Sequence, residues 1–191
     1  PKFFGPRDDQ LSAFNQLAQW YYEAQREVYG LNEYGARQNF FIGDCCNEAG
    51  FLIIHPDYPV NLVVGRSEAA LRAYNPDATW ISSSWRVNKD VYTSNSADVF
   101  MVLDLYCECE EKWRETEGFW GKRWLWSMLH NFGGNNGMSG GFDWIARGPI
   151  EAKKDPLGSK GMSGVGISPE GGETNPALYD LMGEMSWRSE S

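Results

Sequence analysis

Basic residues and long apolar runs are both scarce in this sequence of 191 residues. No stretch of about 18 consecutive apolar residues occurs, so the sequence predicts no membrane-spanning helix. The 17 Lys and Arg residues are outnumbered by 26 Asp and Glu residues, which gives a formal net charge of −9. Such an acidic surface repels phosphate groups and therefore argues against nucleic acids and anionic membranes as partners.

Cysteine and histidine, the usual ligands of zinc, are also few. Cys45 and Cys46 are adjacent, and Cys107 and Cys109 are separated by one residue, whereas zinc sites use C-x2-4-C spacing. We expect the thiols to be small buried groups at strand ends. A metal site that combines Cys107, Cys109 and His130 remains as a weaker alternative.

Targeting and phosphate-binding motifs are missing too. The sequence begins without Met, so we expect a processed, trimmed or partial piece of a longer protein. Its first residues do not read as a signal peptide, and the absence of an N-x-S/T sequon leaves no glycosylation evidence for secretion. The glycine-rich residues 161–172 contain no G-x4-G-K-[ST] pattern. The sequence therefore predicts no nucleotide and no other cofactor.

Aromatic residues are abundant instead. They make up 15% of the chain, with nine Trp, and hydrophobic residues make up 42%, which is typical of a globular protein. We expect most of the Trp side chains to fill the core, because indole is among the larger apolar groups. The alternative is that some of them bind sugars, whose C–H faces are apolar while their edges are polar.

Helical and extended segments alternate along the chain. The predicted helices span about residues 7–29, 61–73, 141–147 and 177–187, and the predicted strands span 40–43, 79–85, 99–105 and 124–128. We interpret residues 153–158 as a solvent-facing loop and residues 161–172 as a strand-like loop that presents Glu170 on a tight turn. This order favours an α/β fold of parallel strands with crossover connections.

Polar side chains follow the carboxyl ends of these strands, where α/β barrels build their active sites. Residues 129–137 directly follow an apolar strand and contain His130, Asn131 and the pair Gly133-Gly134. Glu48 and Glu170 each follow an apparent strand, and two carboxylates on one face suit glycoside hydrolysis. Glu48 could equally be a solvated loop acid, and Asp104, inside an apolar strand, could be a structural hydrogen-bonding group.

Several blocks of this sequence resemble glycoside hydrolase family 89, the α-N-acetylglucosaminidases. Residues 126–135 look like the family's W-x-M-L-H-N-F-G-G-N block. Residues 166–171 are similar to its G-[MI]-x-P-E-G block, and residues 179–187 fit its Y-x-L-M-x-E-x-x-W ending. Residues 76–80 and 102–105 agree as well.

The resemblance implies a retaining exo-hydrolase that removes terminal α-linked N-acetylglucosamine by double displacement. Glu48 takes the place of the general acid/base, which needs a raised pKa, and Glu170 takes the place of the nucleophile. A retaining pair lies about 5–5.5 Å apart. The predicted substrate-binding residues are His130, Asn131, Trp85, Asp104, Asn47 and Cys46: the first two would hydrogen-bond sugar hydroxyls, Trp85 would wall the pocket, and Asp104 would orient its neighbours.

The resemblance is imperfect in both motif and length. The family's D-x-F-x-E is replaced by Asp-Cys-Cys-Asn-Glu at residues 44–48, and its Q-G-W by Ser-Ser-Trp at residues 83–85, so substrate preference is open. Family members also carry an N-terminal domain, early barrel strands and a helical C-terminal domain. We therefore predict that residues 1–191 are a partial catalytic domain, the C-terminal portion of a (β/α)8 TIM-like barrel that is marginally stable alone.

The predicted partners are a carbohydrate with a terminal α-N-acetylglucosaminide and the missing barrel portion of the same protein. The family implies a lysosomal, vacuolar or secreted location. The alternative function is a catalytically inactive carbohydrate-binding remnant. A carboxylate separation far beyond about 10 Å would favour that alternative.

Overall fold

The computed structural model describes residues 8–29, 40–42, 60–85, 87–131 and 141–190, in two compact units. The first unit is Pro1–Ser82 with Arg86–Phe100, and the second is Ser83–Trp85 with Met101–Ser191. In chain order the elements are α1 (Asp8–Tyr29), β1 (Phe40–Ile42), α2 (Val60–Tyr74), β2 (Thr79–Ser83), α3 (Lys89–Ser94), β3 (Phe100–Asp104), α4 (Lys112–Glu115), β4 (Arg123–Met128), α5 (Phe142–Lys154), β5 (Met162–Ile167) and α6 (Pro176–Met185).

The first unit contains a parallel strand pair and three packed helices. β1 and β2 pair with Phe40 opposite Thr79, while α2 packs against both α1 and α3. The rings of Trp80 and Tyr92 meet the ring of Phe100 edge-on, with centroid distances of 5.7 and 5.1 Å. All three side chains are buried, so this aromatic cluster is part of the unit's core.

The second unit is built on β3, β4 and β5, which are parallel. Asp104 at the end of β3 lies opposite Trp126, and Met128 at the end of β4 lies opposite Ile167 at the end of β5. The pairing shifts by one residue after Trp124, which makes a β-bulge in β5. Because the strands are parallel, the residues that follow their carboxyl ends lie along the same edge.

Tryptophan side chains fill much of the second unit's core. The rings of Trp113 and Trp124 stack at 5.5 Å with an interplanar angle of 15°, and Phe119 packs against Trp124. The buried face of α5 packs on β4, β5 and α6. The prediction that most Trp residues are core residues holds only in part: Trp80, Trp113, Trp124 and Trp126 are buried, whereas Trp20, Trp144 and Trp187 are exposed.

The glycine-rich segment differs most from the sequence-based expectation. Residues 162–167, predicted as part of a strand-like loop, form a regular strand, and a Cβ added to Gly166 would lie 2.5 Å from Ser127 Oγ of β4. The glycine there permits close packing between strands, which the sequence cannot distinguish from a flexible loop.

Two helical predictions also need correction. α5 continues through Pro149 to Lys154, where a loop was expected from residue 153, because its buried residues pack on the sheet across the proline. The short helices α3 and α4 were not expected.

None of the described helices combines the length and the hydropathy that a membrane span needs.

Candidate active site

Asn131 lies just beyond β4, and its carboxamide holds the loop that follows β5. Its Nδ2 donates to the carbonyl oxygens of Gly171 and Glu173 at 2.8 and 3.0 Å. Its Oδ1 accepts the N–H of Glu170 at 3.0 Å. The side chain is buried and uses both amide hydrogens and its oxygen in these bonds. The main chain is therefore fixed at Glu170 and on its C-terminal side, while the Glu170 side chain is exposed.

His130, the residue before Asn131, holds the end of the same loop. Its Nε2 accepts the N–H of Asn175 at 3.1 Å, and Asn175 caps α6 by accepting the N–H of Ala177. The accepting role of Nε2 leaves the proton of the neutral ring on Nδ1. His130 is buried and has a φ of 66°, in the left-handed region that non-glycine residues rarely adopt.

Glu108 is a third polar group at this edge, and the sequence interpretation missed it. Its Oε1 accepts the N–H groups of Leu129 at 2.9 Å and His130 at 2.5 Å. Burial raises the pKa of Glu108 above its ordinary value, which these N–H groups only partly offset. Burial and then the charge of Glu108 raise the pKa of Tyr179, whose ring meets His130 edge-on at 5.7 Å.

A signal for Glu108 was present in the sequence. It follows an apolar strand by a few residues, as Glu48 and Glu170 do, and it lies between Cys107 and Cys109, which were interpreted as small buried thiols. Its bonds to the main chain beyond β4 could not be read from sequence, because they depend on the register between β3 and β4.

Asp104 organises the other end of this edge. Its Oδ1 accepts the Ser84 hydroxyl and its Oδ2 accepts the Trp113 N–H, both at 2.9 Å, while Ser84 Oγ accepts the N–H of Leu105. Burial raises the pKa of Asp104 to about 6 despite these bonds. Asp104 thereby holds the side chain of Ser84, the residue before Trp85. Trp85 is half-buried, and its ring centroid lies 6.4 Å from that of Tyr106.

The structure thus brings His130, Asn131 and Glu170 into one hydrogen-bonded group. Asp104 is instead bonded to the side chain of Ser84, the residue before Trp85, and to the main-chain N–H of Trp113. The predicted acid/base Glu48 and its neighbours Asn47 and Cys46 lie outside the described residues. The separation of the two predicted catalytic carboxylates, the pKa of Glu48 and contacts to a sugar stay predictions.

The metal alternative is wrong. In the part of the chain that the structure describes, no three His, Cys, Asp or Glu side chains are placed to hold a metal ion, so Cys107, Cys109 and His130 form no such site. The expectation of buried thiols is confirmed for Cys107 and wrong for Cys109, which is exposed. Cys45 and Cys46 lie outside the described residues.

Parallel strands whose carboxyl ends carry an ordered group of polar side chains are the arrangement found in α/β barrels. The family model described as the alpha-N-acetylglucosaminidase (NAGLU) TIM-barrel domain matches residues 2–189. The chain therefore belongs to the α-N-acetylglucosaminidase TIM-barrel family, and its fold is a partial α/β TIM barrel.

Individual relatives agree with this assignment. Human α-N-acetylglucosaminidase is 29% identical over 171 residues, which cover 84% of this chain and 22% of the human protein. A family 89 glycoside hydrolase from Clostridium perfringens, solved with 2-acetamido-1,2-dideoxynojirimycin, is 28% identical with a TM-score of 0.79. The match covers 99% of this chain and 20% of that one, so the chain spans about a fifth of the length of these relatives.

A second structure from Clostridium perfringens contains a substrate. That protein carries two glutamate-to-glutamine substitutions and is bound to its substrate GlcNAc-α-1,4-galactose. It is 26% identical to this chain with a TM-score of 0.79, again over 99% of this chain and 20% of the other.

Proposed function

We propose that this chain carries the catalytic carboxylates of a retaining exo-glycoside hydrolase that removes terminal α-linked N-acetylglucosamine. The observation that carries the proposal is the presentation of Glu170. The Glu170 side chain is exposed beyond β5. The Asn131 carboxamide accepts the N–H of Glu170 and donates to the carbonyl oxygen of Gly171. A nucleophile needs this combination, because the attacking oxygen must be accessible and held in place.

The reaction would proceed in two displacements. A carboxylate oxygen of Glu170 attacks the anomeric carbon as the glycosidic C–O bond breaks, and the leaving oxygen takes a proton from Glu48. The product of this step is a covalent glycosyl ester on Glu170. Water then attacks the same carbon and gives a proton back to Glu48 while the ester bond breaks. Two inversions at one carbon leave the α configuration unchanged.

The comparisons support the choice of sugar and of residue type. The Clostridium perfringens relatives were solved with an N-acetylglucosamine-type iminosugar and with GlcNAc-α-1,4-galactose. The substrate complex was formed with two glutamates changed to glutamine, a change that keeps size and removes charge. The remaining barrel strands of the same protein are the proposed partner that completes the pocket, since the relatives are about five times longer.

The test is turnover of an aryl α-N-acetylglucosaminide by the protein and by its Glu170→Gln variant. We expect a fall in kcat of about a thousandfold or more, as for loss of other enzymatic nucleophiles. Glu184→Gln is the matched control, because Glu184 is an exposed glutamate of α6 paired with Arg188 and should leave kcat unchanged.

Two further measurements address the mechanism. Azide, a small external nucleophile, should restore turnover in Glu170→Ala and give the β-glycosyl azide, because a single displacement inverts the anomeric carbon. In the unsubstituted protein, NMR of the first product should show the α anomer. A first product with the β configuration would contradict double displacement. Unsubstituted protein that, with the remaining barrel strands present, binds N-acetylglucosamine without turning the substrate over would overturn the proposal in favour of a carbohydrate-binding role.

A further inference from the structure

The backbone conformation of His130 needs an explanation that the proposed chemistry does not supply. A non-glycine residue at a φ of 66° is strained, and such strain persists only where the surroundings hold it. Two sets of contacts hold it here: the Asn131 N–H donates to the Leu129 carbonyl oxygen at 2.8 Å across the turn, and Glu108 Oε1 accepts the N–H groups of both Leu129 and His130. Hydrogen bonds to a charged acceptor are roughly twice as strong as neutral ones, so a carboxylate is well suited to this task.

The strained turn determines where two side chains point. With His130 in the left-handed region, its ring reaches the N–H of Asn175 and the following Asn131 reaches Glu170, Gly171 and Glu173. The loop that carries Glu170 is thus anchored near both of its ends by adjacent residues. We call this arrangement the two-point clamp, formed by His130 and Asn131.

We propose that Glu108 is a positioning residue for Glu170 and acts through the two-point clamp. The carboxylate on the segment after β3 fixes the main chain after β4, and the side chains there fix the loop after β5. The inference rests on the proposed role of Glu170, but the placement of the loop can be measured without any turnover.

A local role for Glu108 is the competing explanation. A carboxylate that only satisfies two buried N–H groups would affect Leu129 and His130 when it is changed, and nothing beyond them. A positioning role predicts that the same change also releases the N–H groups of Glu170 and Asn175, which Glu108 does not contact. Amide hydrogen exchange reads each of these groups separately.

The experiment compares Glu108→Gln with the unsubstituted protein. Glutamine keeps the shape of the side chain and one acceptor oxygen but loses the charge. Glu110→Gln is the matched control, since Glu110 is an exposed glutamate two residues away that pairs with Lys112. We expect exchange at Glu170 and Asn175 to quicken by about tenfold or more in Glu108→Gln and to stay unchanged in the control.

Kinetics supply a second measurement on the same variants. In Glu108→Gln, displacement of Glu170 should lower kcat about tenfold, which is equivalent to about 1.4 kcal/mol of activation free energy. KM for the aryl glycoside should stay within about twofold. If Glu108→Gln does not fold, Glu108→Asp replaces it, because the shorter aspartate keeps the charge and cannot reach both N–H groups. The same changes in exchange are expected.

The outcomes separate the two proposals, the positioning role of Glu108 and the nucleophile role of Glu170. Faster exchange confined to Leu129 and His130 would overturn the positioning role, whatever the activity. Faster exchange at Glu170 and Asn175 with lower kcat would support both proposals. The third outcome is faster exchange at Glu170 and Asn175 in Glu108→Gln together with unchanged turnover in Glu170→Gln. It would support the positioning role of Glu108 and refute the assignment of Glu170 as the nucleophile.

Discussion

Replacement of Asp104 by Asn should change how the stability of the protein depends on pH. Asp104 is fully buried, and burial raises its pKa from 3.8 to about 6. The folded state therefore binds this proton more tightly than the unfolded state does. The resulting stabilisation is present below about pH 4 and is lost as the pH rises through about 6.

The size of the effect follows from the shift. A difference of about two pKa units between the folded and unfolded states corresponds to about 3 kcal/mol of unfolding free energy. Asparagine does not titrate. Its amide oxygen can still accept the Trp113 N–H, and its NH2 group can donate to the Ser84 hydroxyl oxygen. The other carboxylates titrate alike in both proteins, so they cancel in the difference.

The assay is urea unfolding monitored by Trp fluorescence at several values between about pH 4 and pH 7. The unfolding free energy of the unsubstituted protein minus that of Asp104→Asn should fall by about 3 kcal/mol as the pH rises across this range. Asp143→Asn, at an exposed aspartate of α5 paired with Arg147, should give a nearly flat difference. A flat difference for Asp104→Asn, or one that grows with pH, would refute the reasoning.

Two pairs of glycine substitutions test packing, each with its own control. Gly148→Ala should destabilise by about 1–3 kcal/mol, because the new Cβ would lie 2.5 Å from Cζ2 of the buried Trp126, whereas Gly183→Ala, in open space on α6, should stabilise by about 0.5–1 kcal/mol. Melting temperatures that move in the same direction would contradict this. Gly171→Ala would bring a Cβ to 3.0 Å from the clamp's amide nitrogen and should lower kcat, but Gly172→Ala meets nothing within 4 Å and should not. Equal activity of these two variants would show that the loop tolerates displacement.

The strongly periodic parts of the fold could be predicted from the sequence. The continuous apolar run around β3 and the amphipathic pattern of α6 both gave the correct element, because burial on both strand faces and a helical stripe leave clear patterns. β5 was predicted only as a strand-like loop, since its glycines serve close packing against β4, and that need is visible only once the neighbouring strand is in place.

The polar residues of the candidate site could be picked out from the sequence, but their geometry could not. Strand-end polarity and the family motifs pointed to His130, Asn131 and Glu170, which the structure brings together. The bonds that join them run between side chain and main chain across about 40 residues, and no local pattern encodes such partners. Glu108 was missed for the same reason, because its partners lie beyond the next strand.

The two-point clamp also limits how the chain can change in length. Asn131 holds the main chain at Glu170, and His130 holds it at Asn175, where α6 is capped. An inserted or deleted residue between these two anchors would detach one of them, because the adjacent side chains that form the clamp have a fixed spacing of their own. We therefore expect this loop to keep its length among relatives with the same chemistry. Under the proposed function, we expect differences in substrate preference to arise in the other strand-end loops.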